Sequence, residues 1–133
     1  MAGTLVITTL SDGTNSTSAT NCIQGSAKAW ANFDPSSGAI TIRGSYNVSS
    51  ITYNATGTYT MNFTNAMANA NYVSVGAIGK YSPRTNDANA GIQFKNQTGN
   101  SYGQTTTALQ ISTRTPSGSS AEDNPYVAVA VFS

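Results

Sequence analysis

The run Thr58-Tyr59-Thr60-Met61-Asn62-Phe63 alternates without a break, so an extended backbone puts Tyr59, Met61 and Phe63 on one face and Thr58, Thr60 and Asn62 on the other. A helix would scatter those three apolar side chains around its axis, whereas a strand with one covered face requires this period of two. Similar short alternating segments recur between turn signals along the chain, and no segment has convincing helical periodicity. The pattern therefore predicts an all-β protein, an antiparallel β-sandwich of some eight or nine short strands, jelly-roll-like, preceded by an N-terminal arm.

Other strands follow the same logic. Ala27, Ala29, Ala31 and Phe33 share a face opposite Lys28, Trp30 and Asn32, and Trp30 is expected to anchor the core, with a rim position at an interface as the alternative. Asp34-Pro35-Ser36-Ser37-Gly38 is a turn, with Pro35 presetting φ and Gly38 tolerating positive φ, so the strand beyond it, with Ile40 and Ile42 in phase, closes a hairpin. In Tyr46 to Tyr53, Val48 and Ile51 are out of step by one residue, which predicts a bulge or break near Ser49 or Ser50. Asn54-Ala55-Thr56-Gly57 turns the chain into Thr58 to Phe63. Ala66 to Ala70 suggests one helical turn, and Val73, Val75 and Ala77 share a face of the next strand. Ile92 to Phe94 and Ala108 to Thr113 follow, the latter with Leu109 and Ile111 inward. Tyr126 to Phe132 is apolar on both faces, Val127, Val129 and Val131 against Tyr126, Ala128, Ala130 and Phe132. Such a strand is either central in a two-layer core or at a subunit interface.

Leu, Ile, Val and Phe make up 22 of 133 residues while Ser, Thr and Asn make up 50, so the core is small and the outer faces are polar, or part of the core is shared with other copies. Net charge is only +1, and the six basic and five acidic residues are scattered, which leaves no patch for nucleic acid. With no histidine, the usual general base and the commonest transition-metal ligand are missing. Glu122-Asp123 is the one adjacent acidic pair, and no Gly-x-Ser-x-Gly elbow occurs, so no catalytic residues, cofactor or metal are expected. Asp87-Ala88-Asn89-Ala90-Gly91 lacks the acidic residue that would complete a calcium loop and reads as a turn. The single Cys22 cannot form an internal disulfide. Met1-Ala2-Gly3-Thr4 has no basic n-region and the apolar stretch after it stops at Leu10, which reads as neither a signal peptide nor a membrane span.

The long irregular stretch from Lys80 to Gln104 holds the candidate ligand-binding residues Tyr81, Arg84, Asp87 and Tyr102, because aromatic platforms beside amides and charges suit sugar recognition. The alternative is a solvated loop whose tyrosines pack on the sandwich edge. Val127, Val129 and Val131 are the candidate oligomer-interface residues.

Gly25-Ser26-Ala27-Lys28-Ala29-Trp30-Ala31-Asn32-Phe33, Ile42 to Ile51, Gly57 to Phe63, Met67 to Tyr72 and the closing Asn124-Pro125-Tyr126-Val127-Ala128-Val129-Ala130-Val131-Phe132 together resemble a module of short bacteriophage virion proteins and of the distal domains of phage tail-fibre-like proteins. The resemblance covers about half the chain. It implies a non-enzymatic virion component, homotrimeric and displayed on the particle exterior after assembly in the host cytoplasm. On that view residues 1–24 are an arm that attaches to other virion proteins and residues 25–133 are the sandwich. The expected role is a short fibre or tail-tip appendage with contact to a host-surface glycan; the alternatives are a capsid decoration protein that stabilises the shell, and a carbohydrate-binding module or adhesin. Neither nucleic acid nor membrane is an expected partner.

Overall fold

The computed structural model describes residues 3–79, 91–94, 103–114 and 120–133. Two strands, β1 (Thr9–Ser11) and β2 (Ser16–Ser18), pair only with each other, and a short helix α1 (Ala19–Gly25) follows. Eight further strands divide four and four. Sheet I has the order β4-β3-β10-β7, from β3 (Ala29–Asp34), β4 (Thr41–Tyr46), β7 (Val73–Gly79) and β10 (Tyr126–Phe132). Sheet II has the order β5-β6-β9-β8, from β5 (Val48–Ala55), β6 (Thr58–Phe63), β8 (Gly91–Phe94) and β9 (Ala108–Arg114). Every pairing is antiparallel. The predicted all-β sandwich is the observed architecture.

The core is made by alternation. Ala29, Ala31 and Phe33 of β3 and Val127, Val129 and Val131 of β10 face Ile51, Tyr59, Met61, Phe63, Leu109 and Ile111 of sheet II, all buried. The two alanines leave room for aromatic rings from the other sheet, and Phe33 meets Tyr59 edge to face at 5.4 Å between centroids. Met67 and Tyr72 close one end of this core, where Tyr72 packs edge to face on Phe63. Residues 66–70, expected as a helical turn, form bends instead, because burying Met67 holds the segment against the core.

Two turns carry the expected chemistry. Asp34 Oδ1 accepts from the Ser36 amide at 2.9 Å, and Gly38 has φ +74°, which closes the β3-β4 hairpin. The pairing of β5 with β6 shifts register between Val48 and Ser50, where the phase of the apolar residues slips. The chain passes from sheet I to sheet II at Asn47, which has φ +55°. Its amide donates to the carbonyls of Lys28 at 3.0 Å and Asn65 at 3.2 Å, and its Oδ1 accepts from the Asn65 amide at 2.8 Å, so one side chain ties three segments at the corner.

Before Ala29 the pattern differs. The apolar stretch Leu5 to Leu10, which alone suggests a short strand, is strand only from Thr9, and the polar Ser11 to Ser18 stretch after it, which reads as a loop, ends in β2. The helix α1 was not legible from periodicity because it buries no residue and so needs no apolar stripe. Capping makes it instead: Ser18 Oγ accepts from the Asn21 amide at 3.1 Å, and Lys28 Nζ donates to the Ile23 carbonyl near the other end. None of the described residues before Ala29 belongs to the core.

Candidate assembly face

The two sheets present opposite kinds of outer surface. On sheet II the outward row is hydroxyl and amide: Asn62 donates to Ser50 Oγ at 3.0 Å and Thr52 Oγ1 at 3.2 Å, and Asn54 donates to Thr60 Oγ1 at 2.7 Å. On sheet I it is apolar. Strand register lines up Tyr46, Trp30, Ala130 and Val75 across all four strands, and Gly44, Asn32, Ala128 and Ala77 in the next row. Phe132 and Val73 pair beyond them.

Trp30 is 42% exposed, Val75 48%, Tyr46 58% and Val73 63%. The Trp30 ring leans toward Gly44, where a Cβ would stand 3.4 Å from its Cζ3. With the indole on one side and Val75 on the other, the alanines form the floor of a shallow depression of about 540 Å³. Among the described residues charge stands at the ends of the face, with Lys28 just before β3 at one end and an ion pair beside Tyr126 at the other. There Arg43 Nη2 pairs with Asp34 Oδ2 at 2.7 Å, Arg43 Nη1 donates to the Pro125 carbonyl at 2.6 Å, and the guanidinium lies 4.4 Å from the centre of the Tyr126 ring. An apolar patch with a polar rim is the ordinary form of a surface that meets another protein.

This arrangement changes two expectations. Trp30 does not anchor the core: Ala29, Ala31 and Phe33 take the inward phase of β3, and Trp30, one residue out of phase, stands on the outer face. Val127, Val129 and Val131 are 0%, 3% and 0% exposed and are covered by sheet II within one molecule. Their burial is explained without a second copy, and what β10 offers outward is Tyr126, Ala128 and Ala130. Of the two alternatives that the doubly apolar strand left open, β10 takes the central place in a two-layer core, and alternation cannot say which row faces in. Tyr81, Arg84, Asp87 and Tyr102 lie outside the described residues.

At the end of the sandwich near the β5-β6 turn, Asp123 is a structural latch. Its carboxylate accepts from Tyr59 Oη, Tyr53 Oη and the Gly57 amide, each at 2.7 Å. The Glu122 carbonyl accepts from Thr113 Oγ1 at 2.5 Å. Burial pushes the Tyr59 phenol well above its usual range, opposed by its hydrogen bond with Thr113 and reinforced by Asp123. Asp123 is thus engaged by two phenols and a main-chain amide, an arrangement that fixes the turn. Cys22, on α1, is a free, partly exposed thiol. Among the described residues no three His, Cys, Asp or Glu side chains gather where they could hold a metal ion, and no helix is long and apolar enough to cross a membrane.

Comparison with protein-family models, with curated proteins and with solved structures found no match for this chain. The reading of function rests on the site and on the sequence.

Proposed function

We propose that this chain is a bacteriophage virion structural protein, a non-catalytic exterior subunit that self-associates, as a homotrimer, through the outer face of sheet I. The observation that carries the reading is that face: Trp30, Tyr46, Val73 and Val75 are exposed together around an alanine floor, with charge only at the rim. A protein that worked alone would gain nothing from leaving this surface in water. The module-like segments identified in the sequence supply the virion setting, and the arm, residues 1–24, whose described residues add nothing to the core, is the element that attaches to another virion protein subunit.

The test has two parts. The purified chain should sediment as an oligomer at micromolar concentration, and a tagged copy should be detected on the outside of intact particles. A stable monomer that is absent from particles would remove the proposal. Labelling spread over the shell, without adsorption of the protein to host cells or glycans, would assign it to capsid decoration and not to a fibre or tail tip.

A further inference from the structure

We propose that the N-terminal arm of one copy lies on the outer face of sheet I of a neighbouring copy, so that the chains join arm to face; this rests on the self-association proposed above and names its geometry. The arm carries apolar side chains that its own molecule does not cover: Leu5 is 81% exposed, Val6 86%, Ile23 64% and Leu10 53%. Among the described residues its hairpin pairs with no other strand, and its helix buries no residue. The described residues thus hold two exposed apolar surfaces.

Their charges are compatible. Residues 3–11 contain no charged side chain, and the rows of sheet I around Ala128 and Ala130 contain none either. The first charge in the arm is Asp12, at the hairpin turn, where its Oδ1 accepts from the amides of Thr14 at 2.9 Å and Asn15 at 2.7 Å. Contact between these surfaces buries no unpaired ion.

Position also favours the arm as the occupant. The root of the arm is fixed beside the face, since the Lys28 amide donates to the Val131 carbonyl at 2.7 Å and Trp30 lies two residues on. Donor and acceptor are different surfaces, so the contact is heterologous, and it closes into a ring when the rotation allows. A trimer is such a ring.

Complementation between full-length variants tests this. Leu5→Asp with Val6→Asp spoils the arm and leaves the face; Val75→Asp spoils the face and leaves the arm. All three positions are exposed, so each protein should keep the wild-type circular dichroism spectrum. Sedimentation equilibrium should find each variant monomeric at a concentration where the wild type is assembled, with self-association weakened at least tenfold. An equimolar mixture should form a complex of twice the monomer mass, because one intact arm still meets one intact face. Arm variants that assemble like the wild type, or a mixture that remains monomeric, would overturn the arm-to-face contact while leaving self-association in place. A monomeric wild type would instead overturn the underlying reading.

Discussion

At Gly57 the backbone has φ +62°, and a Cβ would stand 2.5 Å from the Thr113 carbonyl oxygen and 2.6 Å from the Glu122 amide nitrogen. Neither neighbour is a flexible side chain, and the Thr113 amide donates to the Gly57 carbonyl at 2.9 Å, so the backbones are held together. Gly57→Ala should cost at least about 2 kcal/mol from left-handed backbone and crowding, a fall in Tm on the order of 6–10 °C. Gly13→Ala is the control: φ there is +95°, but nothing lies within 4 Å of the added methyl, and the hairpin is outside the core. Its effect on the Tm of the sandwich should be much smaller in the same calorimetric scan. Tyr72 makes a pH prediction. Burial pushes its phenol up to about 12, and its hydroxyl donates to the Thr105 carbonyl at 3.0 Å. The unfolded chain releases that proton near pH 10 while the folded one keeps it, so this contribution to stability is whole below about pH 10 and is lost as the pH climbs toward 12. Urea midpoints measured from pH 8 to 12 should be flat at first and then fall; Tyr72→Phe should soften the fall, with the Tyr59 phenol, also shifted upward, accounting for part of what remains.

Among the elements, β10 is paired on both sides and covered by sheet II. Val129→Asp should prevent folding, since it removes ~1.5–3 kcal/mol of apolar burial and adds the desolvation of a carboxylate. Thr60→Asp, on the polar outer row of sheet II, should lower the Tm only slightly; equal melting of the two variants would mean that the faces are reversed. How far such elements were legible depended on what fixes each one. In β6 and in the β3-β4 hairpin, alternation and turn residues agree, and both were readable to within a residue or two. The slip near Ser50 was readable as a phase error. Phase alone does not tell inside from outside when both rows are apolar or both are small. Hence β10 left two alternatives, and so did Trp30, expected in the core or at an interface rim. In β7 the larger residues Val73 and Val75 point out, and the inner row holds Gly76, where a Cβ would come within 2.8 Å of Ile92 Cδ1. There the close approach of β8 decides the phase, which no local pattern reveals. The helix α1 was missed because a cap and two turns suffice for it, although Ser18 before it and Gly25 at its end were visible signals. The candidate face was half legible: the doubly apolar strand was found, which of its rows faces outward was not.

For the whole molecule, the proposed assembly uses the contrast between a hydroxyl-rich outer face and an apolar one, turning sheet II toward water and sheet I toward a partner. The long stretch from Lys80 to Gln104 retains its place as the expected seat of any ligand specificity. Tyr81→Ala with Tyr102→Ala should therefore reduce adsorption to host cells or glycans while leaving the oligomer mass unchanged. Assembly through sheet I is open to a direct optical test, because Trp30 is the single tryptophan and stands on the proposed face, 42% exposed in one chain. Its emission and its quenching by acrylamide can be followed on the unmodified protein as concentration rises through the micromolar range, with mass measured in parallel. If sheet I is the assembly face, emission should move to the blue and quenching should fall over the same range in which the mass rises above that of one chain. An emission spectrum and quenching constant that stay unchanged while the mass rises would place the interface elsewhere and contradict the account.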